Sequence, residues 1–515
     1  MRASPRRSCR RLSTVLMCSG VLFLVATGPL LAQYFTPSAS FSSTDRFVGA
    51  HVFHWYSVNN TTLGDWEARG PWRPLEGRSQ WDGSVAFYKR QIKDIMDAQI
   101  DVIHVHLWLP VSGDQQFENS RKNLFRALYL LRSAGYDTPK VVPFLDGALT
   151  WYSSNPVNLA TTAGKNDFVN QYIRFFDQYF SKNTDAYAAD YLAKINNKVI
   201  LNTWHLLYQP SSGFYISNYN NLSRYDVESR LSSHFSGSQP VFNNGVYMIG
   251  SYAWPVPSWF DEITHQFSGN SYYETATRNG KRTACLKPGL WTENILANAR
   301  FEPRAGGNNF WNALLTLNNQ KNGSPKIYHA VIESWNEYDE GSGIYEANTT
   351  PFYLYPPEGY NPGTHTDSWS VYGNYPRSYI DQVANRAPVF TGAPTHDAEF
   401  IYHNIPASVS AGSTFNITVI VRNLGSNEWR KSTNYKLGIR DDSPFRTPGG
   451  GIRYLLNDSQ DEIPKYGGIF RGRPRTFNVQ VKAPTTQGTQ YLKLKMVQEF
   501  ITWFGEELVV PIQVN

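Results

Sequence analysis

The sequence has very little cysteine, which excludes a fold held together by disulfides. Of its three cysteines, Cys9 and Cys18 lie near the amino terminus, and Cys285 stands alone in the rest of the chain. A single cysteine cannot form a disulfide within one chain, so the hydrophobic core must hold the fold. The chain has 515 residues, of which 41% are hydrophobic. That is enough to bury a large core and to form about two to three domains.

Long hydrophobic runs are also missing beyond the first residues, which have the pattern of a secretory signal peptide. Met1–Arg11 contains five arginines and no acidic residue, an apolar run follows over about 15–26, and Ala32 is a small residue at the expected cleavage position. This order predicts a signal peptide over 1–32 and a secreted or periplasmic product. An uncleaved anchor is the alternative. Because the run is short for a membrane span, we expect no membrane association after cleavage.

The chain lacks the basic surplus that nucleic-acid binding requires. It has 48 lysines and arginines against 42 acidic residues, but five of the arginines lie in the leader, which leaves 43 against 42. We therefore expect no nucleic-acid partner. Aromatic residues are abundant by contrast, at 15% of the chain. Aromatic rings with polar groups suit contacts with sugars as well as core packing.

Short apolar strands alternate with amphipathic helices over 47–385. Helices are indicated by apolar residues at helical spacing, as at Tyr88, Ile92 and Ile95. Alternation over this length predicts an α/β fold, a (β/α)8 barrel of the TIM type, as a catalytic domain over 40–385. Strands are predicted at 47–56, 102–108, 140–145, 198–204, 246–252 and 327–335, with another near 286–291 and an eighth not visible.

The pattern changes beyond residue 385. A linker is predicted over 386–394, where Ala387-Pro388 and Ala393-Pro394 interrupt the helical spacing. Apolar residues then alternate with polar ones, as at Phe415, Ile417 and Val419, and turn-forming clusters separate these runs. Alternation with a period of two predicts an all-β, Ig-like sandwich over 395–515.

Reactive groups in an α/β barrel lie at the carboxyl ends of the strands. The predicted strand ends in this sequence are rich in aromatic and ionisable residues, which suits a cleft of the size of a sugar. The candidate substrate-binding residues at these ends are His51, His54, Trp55, Tyr56, His106, Trp108, Asp146, Tyr252, Trp254, Trp335, Asn336, Tyr338 and Asp339.

Two glutamates at the end of the last predicted strand are the candidate catalytic residues. Glycoside cleavage typically uses one carboxyl group as a proton donor and a second as a base or nucleophile. Glu337 and Glu340 can present both groups to one site, and Asp339 is a third candidate. The alternative is that these residues are only the acidic first turn of a helix.

The residues around the two glutamates resemble a known family. Ser334–Glu346 reads SWNEYDEGSGIYE and resembles the signature of glycoside hydrolase family 99, the endo-α-mannosidases. The segment Lys287-Pro-Gly-Leu-Trp291 followed by Arg304 is similar to a family segment and adds Arg304 as a candidate substrate-binding residue. Gly49–Tyr56 resembles the family's first strand, and the resemblance covers about 47–382.

The resemblance implies a retaining, endo-acting α-glycosidase on mannose-containing glycans. Glu337 would be the base that deprotonates the substrate's own 2-hydroxyl, and Glu340 the general acid/base. The 2-oxygen would then attack the anomeric carbon and form a 1,2-anhydro sugar. Two residues depart from the family pattern, because Asp339 stands where the family has histidine and Tyr338 where it has tryptophan. The altered run is closer to a motif of fungal α-1,3-glucanases.

Other functions are compatible with the sequence. A non-catalytic glycan-binding protein on the same barrel would need neither glutamate, and an α-glucanase or another polysaccharide hydrolase would use both. His51, His54, His104 and His106 raise the question of a metal, but the chain has no recognisable ligand motif such as H-E-x-x-H, so we expect no metal or other cofactor. The expected partner is an oligosaccharide or polysaccharide, bound by a monomer.

Overall fold

The computed structural model describes residues 40–57, 72, 74–109, 114–115, 117–147, 157–204, 216–253, 255–265, 271–291, 301–349, 372–456 and 468–515. The predicted signal peptide over 1–32 and the candidate residue Trp254 lie outside this part of the chain. Within the described residues, no helix combines the length and the apolar character that crossing a membrane requires.

Eight parallel strands of one sheet form the first half of the fold. Their order is β7-β8-β1-β2-β3-β4-β5-β6, and every neighbouring pair is parallel. The edges β6 and β7 approach each other, since Thr283 Oγ1 donates to the Ile263 carbonyl at 2.6 Å. The sheet is therefore a nearly closed barrel. The strands are β1 (Phe47–Val52), β2 (Val102–Trp108), β3 (Lys140–Asp146), β4 (Lys198–Trp204), β5 (Val246–Ser251), β6 (Glu262–Thr264), β7 (Lys281–Leu286) and β8 (Ile327–Ile332).

Helices follow most of these strands. Three of the six helices named below begin at a side-chain cap: Ser84 accepts from the Phe87 amide, Thr161 accepts from the Gly164 amide, and Ser223 and Asp226 form a capping box. Each buries one apolar face on the barrel, as the sequence predicts for Tyr88, Ile92 and Ile95. The helices are α1 (Val85–Asp97), α2 (Glu118–Ser133), α3 (Thr162–Lys182), α4 (Arg224–His234), α5 (Asn308–Gln320) and α6 (Ser378–Thr391).

The alternation of strands and helices is interrupted between β5 and β7. The described residues between β5 and β6 contain no α-helix, and the strand Tyr273–Arg278 precedes β7 as its antiparallel partner. Asn279 and Gly280 form the turn of this hairpin, both with positive φ, as this kind of turn requires. The α/β, barrel-like character of the prediction is confirmed, whereas the described residues depart from a strict (β/α)8 repeat at this point.

A stack of histidine rings lies in the middle of the barrel. The rings of His104 and His329 stack with centroids 5.5 Å apart, and His51 stacks on His104 at 5.2 Å. The Asn202 amide donates to His104 Nδ1 at 3.0 Å. A Cβ atom on Gly49 would lie 2.7 Å from His104 Nε2, so only glycine leaves room for this ring. Burial lowers the pKa of His51 and His104 well below the usual value, which keeps both rings neutral.

The carboxyl-terminal part of the chain is a β-sandwich of two sheets. One sheet has the order β9-β11-β14 and the other β10-β16-β15-β12-β13. Trp429, Phe400 and Leu494 are fully buried between them. The sandwich is confirmed, and its Ig-like character stays a prediction. The strands are β9 (Ala398–His403), β10 (Ser408–Val409), β11 (Thr414–Asn423), β12 (Tyr435–Ile439), β13 (Arg453–Leu455), β14 (Pro474–Lys482), β15 (Gly488–Gln498) and β16 (Thr502–Val514).

The segment predicted as a linker over 386–394 is helical as far as Thr391. It forms the last turns of α6, because Ala387 and Phe390 are buried in the hydrophobic core of the barrel. Gly392 then ends the helix with a φ of 79°. The chain therefore passes from barrel to sandwich with only a few residues between helix and strand.

Buried ion pairs join the sandwich to the barrel. The Asp97 carboxylate at the end of α1 accepts from Arg377 at 2.5 Å and from Arg473 of the sandwich at 2.7 Å. Arg377 also pairs with Asp94 at 2.8 Å. Burial raises the pKa of Asp97 to about 6, although the two guanidinium groups oppose the shift. Above that pH, the interface contains a buried negative charge held by two arginines.

Candidate active site

The two candidate glutamates lie on a compact loop that follows β8. The Ser334 hydroxyl accepts from the Glu337 amide at 2.7 Å, in the manner of a helix N-cap. Further along, the Ser334 amide donates to the Ser342 carbonyl and the Ile344 amide to the Trp335 carbonyl, at 3.0 and 2.9 Å. These bonds fold 334–344 back on itself. We call this segment the carboxylate loop.

Glu337 is buried at the end of the barrel and is held by a tyrosine. The Tyr56 hydroxyl, just beyond β1, donates to Glu337 Oε1. Burial raises the pKa of Glu337 well above its usual value, and the charges of Glu340, Asp339 and Asp146 raise it further, while the Tyr56 hydrogen bond opposes them. Burial and the same acidic loop raise the pKa of Tyr56, so this tyrosine stays protonated as the donor.

Glu340 and Asp339 complete the acidic group. Glu340 is half-buried, whereas Asp339 is buried. Both act on Glu337 and Tyr56 through their charge. The two glutamates therefore differ in depth, as two carboxyl groups with different tasks must.

Aromatic and polar side chains at the ends of β1, β2 and β3 lie near these acids at the same end of the barrel. The indole rings of Trp55 and Trp108 are stacked, with centroids 4.5 Å apart and planes 26° apart. His106 packs edge-on against Trp55 at 4.3 Å, and its Nε2 lies 3.0 Å from Asp146. Asp146 in turn contributes to the raised pKa of Glu337. The structure thus brings together Trp55, Tyr56, His106, Trp108 and Asp146 from three successive strand ends.

His51, His54 and Tyr252 occupy other positions. His51 lies one layer deeper, in the histidine core of the barrel. His54 is buried near Phe117 and the ion pair between Arg121 and Asp114, whose atoms approach to 2.5 Å. The Tyr252 ring is 57% exposed and packs on His265 with centroids 4.0 Å apart, beyond the end of β5.

Three candidate residues of the carboxylate loop make contacts within the fold. The Trp335 indole N–H donates to Gln91 of α1 at 2.8 Å. The Asn336 amide group bonds both to the amide and to the carbonyl of Phe53, at 2.8 and 2.7 Å. Tyr338 is buried among aromatic rings that include Tyr56 and Trp81. These side chains fix the loop against β1 and α1.

Arg304 stabilises the carboxylate loop through hydrogen bonds to its backbone. Its guanidinium group donates to the carbonyls of Gly341 and Gly343, both at 2.7 Å. The same group lies over the rings of Trp72, Tyr372 and Tyr379, with centroid distances of 4.5 to 4.8 Å. Because Arg304 is fully buried, its described contacts are those of a positioning residue for the glutamates. The sequence resemblance pointed to this arginine but not to this task.

No group of three or more histidine, cysteine, aspartate or glutamate side chains in the described ranges is arranged to hold a metal ion. Cys285 is buried with its sulfur 3.2 Å from Glu333 Oε2, and burial raises the pKa of this thiol well above its usual value. A thiol in this state is a poor nucleophile.

Fold and site together define an α/β barrel-like domain with a buried acidic centre, followed by a β-sandwich. Residues 38–361 match the profile of the family described as "Domain of unknown function (DUF5010)". The chain belongs to this family. No curated protein matches the chain.

The chain is similar to several solved structures. One is an endo-α-mannosidase of glycoside hydrolase family 99 from Bacteroides thetaiotaomicron, 13% identical, which covers 68% of this chain and 98% of its own at a TM-score of 0.40. Another, a glycoside hydrolase-like protein, is 13% identical and covers 70% and 99% at a TM-score of 0.43. A CARDB domain from Pyrococcus furiosus is 12% identical and covers 24% and 95% at a TM-score of 0.16.

Proposed function

We propose that this protein is a retaining, endo-acting α-glycosidase that hydrolyses mannose-containing glycans. The observation that carries the proposal is the pairing of two unlike glutamates on one loop. Glu337 is buried, has a raised pKa and is held by Tyr56, whereas Glu340 next to it is half-buried. A protein that only binds glycans needs no buried carboxyl group with a raised pKa, so this pair favours catalysis.

Glu337 is the base of the proposed mechanism. It removes the proton from the 2-hydroxyl of the substrate, and the 2-oxygen attacks the anomeric carbon to form a 1,2-anhydro sugar. A raised pKa suits this task, because a stronger base accepts a proton more readily from a weakly acidic hydroxyl. The attacking group is already part of the bound sugar, so little entropy is lost in the step.

Glu340 is the general acid and then the base. It gives its proton to the departing glycosidic oxygen, and in the second step it removes a proton from the water that opens the anhydro ring. Glu337 returns its proton to the 2-oxygen, so both glutamates regain their starting states. The half-buried position of Glu340 suits a group that meets both the leaving sugar and water.

The sugar is proposed to bind beside the paired indoles of Trp55 and Trp108. Aromatic faces pack on the C–H faces of sugar rings, while the His106 and Asp146 pair supplies polar atoms for hydroxyls. The purified protein should be tested against α-mannan, α-1,3-glucan and dextran. Release of oligosaccharides from α-mannan supports the proposal, while release from a glucan alone supports the α-glucanase alternative, to which Tyr338 and Asp339 point.

The pH dependence of the reaction should follow the pKa of Glu337. As a base, Glu337 must be ionised, so kcat/KM falls when the pH drops below its raised pKa. Tyr56→Phe removes the hydrogen bond that lowers this pKa. The acidic limb of the pH profile should therefore move to higher pH, by roughly one unit. Asp339→Asn removes a neighbouring negative charge and should move the limb the other way. Shifts of the same sign in both variants would contradict the assignment.

We also propose that the protein is exported after cleavage before Gln33. The support is the order of a basic segment, a short apolar run and small residues over 1–32. Amino-terminal sequencing of protein from the culture medium or periplasm should begin near Gln33. Exported material that begins at Met1 would contradict cleavage.

A further inference from the structure

A polar groove runs along the outer wall of the barrel, between α3 and α4. Its volume is about 760 Å³. α3 follows β3 and α4 follows β4, so both helices begin at the end of the barrel that carries the acidic centre. The short parallel strands Val157–Asn158 and Ile216–Ser217 pair just before the two helices. The groove therefore starts at the same end of the barrel as the candidate active site and runs down the outer wall from there.

Two rows of side chains with helical spacing line the groove. Thr162, Asn166 and Asn170 are four residues apart on α3, and Tyr225, Ser229 and Ser233 are four apart on α4. Each step advances about 6 Å along a helix. The groove thus presents a hydroxyl and two amides at regular intervals on the α3 wall, and hydroxyl groups at the same intervals on the α4 wall.

Arg230 sets the orientation of the side-chain amides of Asn166 and Asn170. Its guanidinium group donates to Asn166 Oδ1 at 2.9 Å and to Asn170 Oδ1 at 2.6 Å. Because the oxygen of each amide faces Arg230, the NH₂ groups face away from it and remain as donors. Lys165 of the groove is paired with Asp226 at 2.8 Å, and His234 Nε2 lies 3.0 Å from Asp177.

Tyr225 supplies an aromatic surface at the upper end of the groove. Its side chain is 77% exposed, the largest exposure of any described tyrosine on the barrel. At this exposure most of the ring is accessible to another molecule. A flat apolar face next to oriented amides and hydroxyls is complementary to a sugar, which has C–H faces and hydroxyl edges.

We propose that this groove is a second binding site for a neutral polysaccharide, separate from the acidic centre. This proposal rests on the proposed function, because it takes a glycan to be the ligand of the groove. The site holds a polymeric chain on the outer wall while a neighbouring segment of that chain, or a neighbouring chain, reaches the glutamates. It would raise the local concentration of polymeric substrate in the same way as a second binding module.

The experiment is affinity electrophoresis of the full chain with Glu340→Gln, through gels that contain α-mannan or dextran. We expect retardation by at least one of these polymers. Adding Tyr225→Ala should weaken the apparent affinity roughly three- to tenfold, and Tyr225→Trp, which keeps an aromatic face, should retain it. Asn170→Ala should weaken binding with the ring in place. Tyr491→Ala, at a tyrosine that is 50% exposed on the sandwich, is the matched control and should leave binding unchanged.

The readout needs no turnover, so it is independent of whether the proposed hydrolysis occurs. A Tm of the Tyr225→Ala protein equal to that of its parent separates loss of binding from loss of folding. Equal retardation of the parent and the Tyr225→Ala protein would overturn the proposal. The proposal would also be overturned if neither neutral polymer retarded the protein, or if the Tyr491→Ala control lost as much binding as Tyr225→Ala.

Discussion

Glu340→Gln is expected to lose about 10²- to 10⁴-fold in kcat on natural glycosides and to recover much of this loss on substrates with activated leaving groups. Such leaving groups depart without a proton, so they make the acid unnecessary. Glu337→Gln should lose as much on natural glycosides and should not recover, because no leaving group can replace the base that generates the nucleophile. Both substitutions preserve the shape of the side chain and remove its ability to give or accept the proton.

The measurement is kcat and kcat/KM for both variants on a natural oligosaccharide and on an aryl glycoside of the same sugar. Glu507→Gln, a partly buried glutamate of the sandwich, is the control and should match the parent. A 2-deoxy substrate should not turn over in any variant, because it lacks the attacking oxygen. Equal recovery of both glutamate variants would refute the division of roles, and turnover of the 2-deoxy sugar would refute the anhydro intermediate.

Asp97→Ala is expected to lower the free energy of unfolding by about 3–5 kcal/mol, as removal of one partner from a buried ion pair typically does. Asp97 is fully buried and accepts from both Arg377 and Arg473. Its removal takes away the barrel carboxylate to which Arg473 of the sandwich donates. The loss should therefore weaken the contact between the two parts of the chain.

Urea unfolding, followed by tryptophan fluorescence, measures this effect. Asp442→Ala is the matched control, since Asp442 pairs with Lys493 at 2.5 Å but its side chain is 62% exposed, and exposed ion pairs contribute little to stability. If Asp97→Ala costs no more than Asp442→Ala, the buried network does not hold the interface. If the sandwich of the Asp97→Ala protein unfolded at a lower urea concentration than the barrel, the substitution would have weakened the contact between the two parts.

Much of the barrel could be predicted from the sequence, because its buried strands are continuous apolar runs. β2 and β4 begin and end at the predicted residues. β6 is not visible in the sequence, since Glu262–Thr264 has three residues and only one of them is apolar. β7 begins about five residues before the strand that the sequence predicts near 286–291. The sequence signal for its position is Asn279-Gly280, a hairpin turn that fixes the start of the strand at Lys281.

The sequence predicts which strand ends carry the candidate site. It does not predict which side chains are in contact there. The contact of Tyr56 with Glu337 joins residues 281 positions apart, and no local spacing indicates it. The hydrogen bond from the Glu337 amide to the Ser334 hydroxyl could be predicted from the sequence, since serine three residues before glutamate is a capping pattern. Trp335 and Asn336 flank the glutamates in sequence, but backbone geometry turns both side chains toward α1 and β1.

The position of Arg304 has a consequence for how such an enzyme can change its specificity. The arginine donates to the carbonyls of Gly341 and Gly343 in the carboxylate loop. Trp108 and His106, which we propose contact the sugar, take no part in these two hydrogen bonds. Under the proposed function, substitutions at Trp108 and His106 should therefore change the specificity while the hydrogen bonds that hold the loop of the two glutamates stay in place. A library for altered substrate choice should vary the rim and leave Arg304 and its aromatic neighbours fixed.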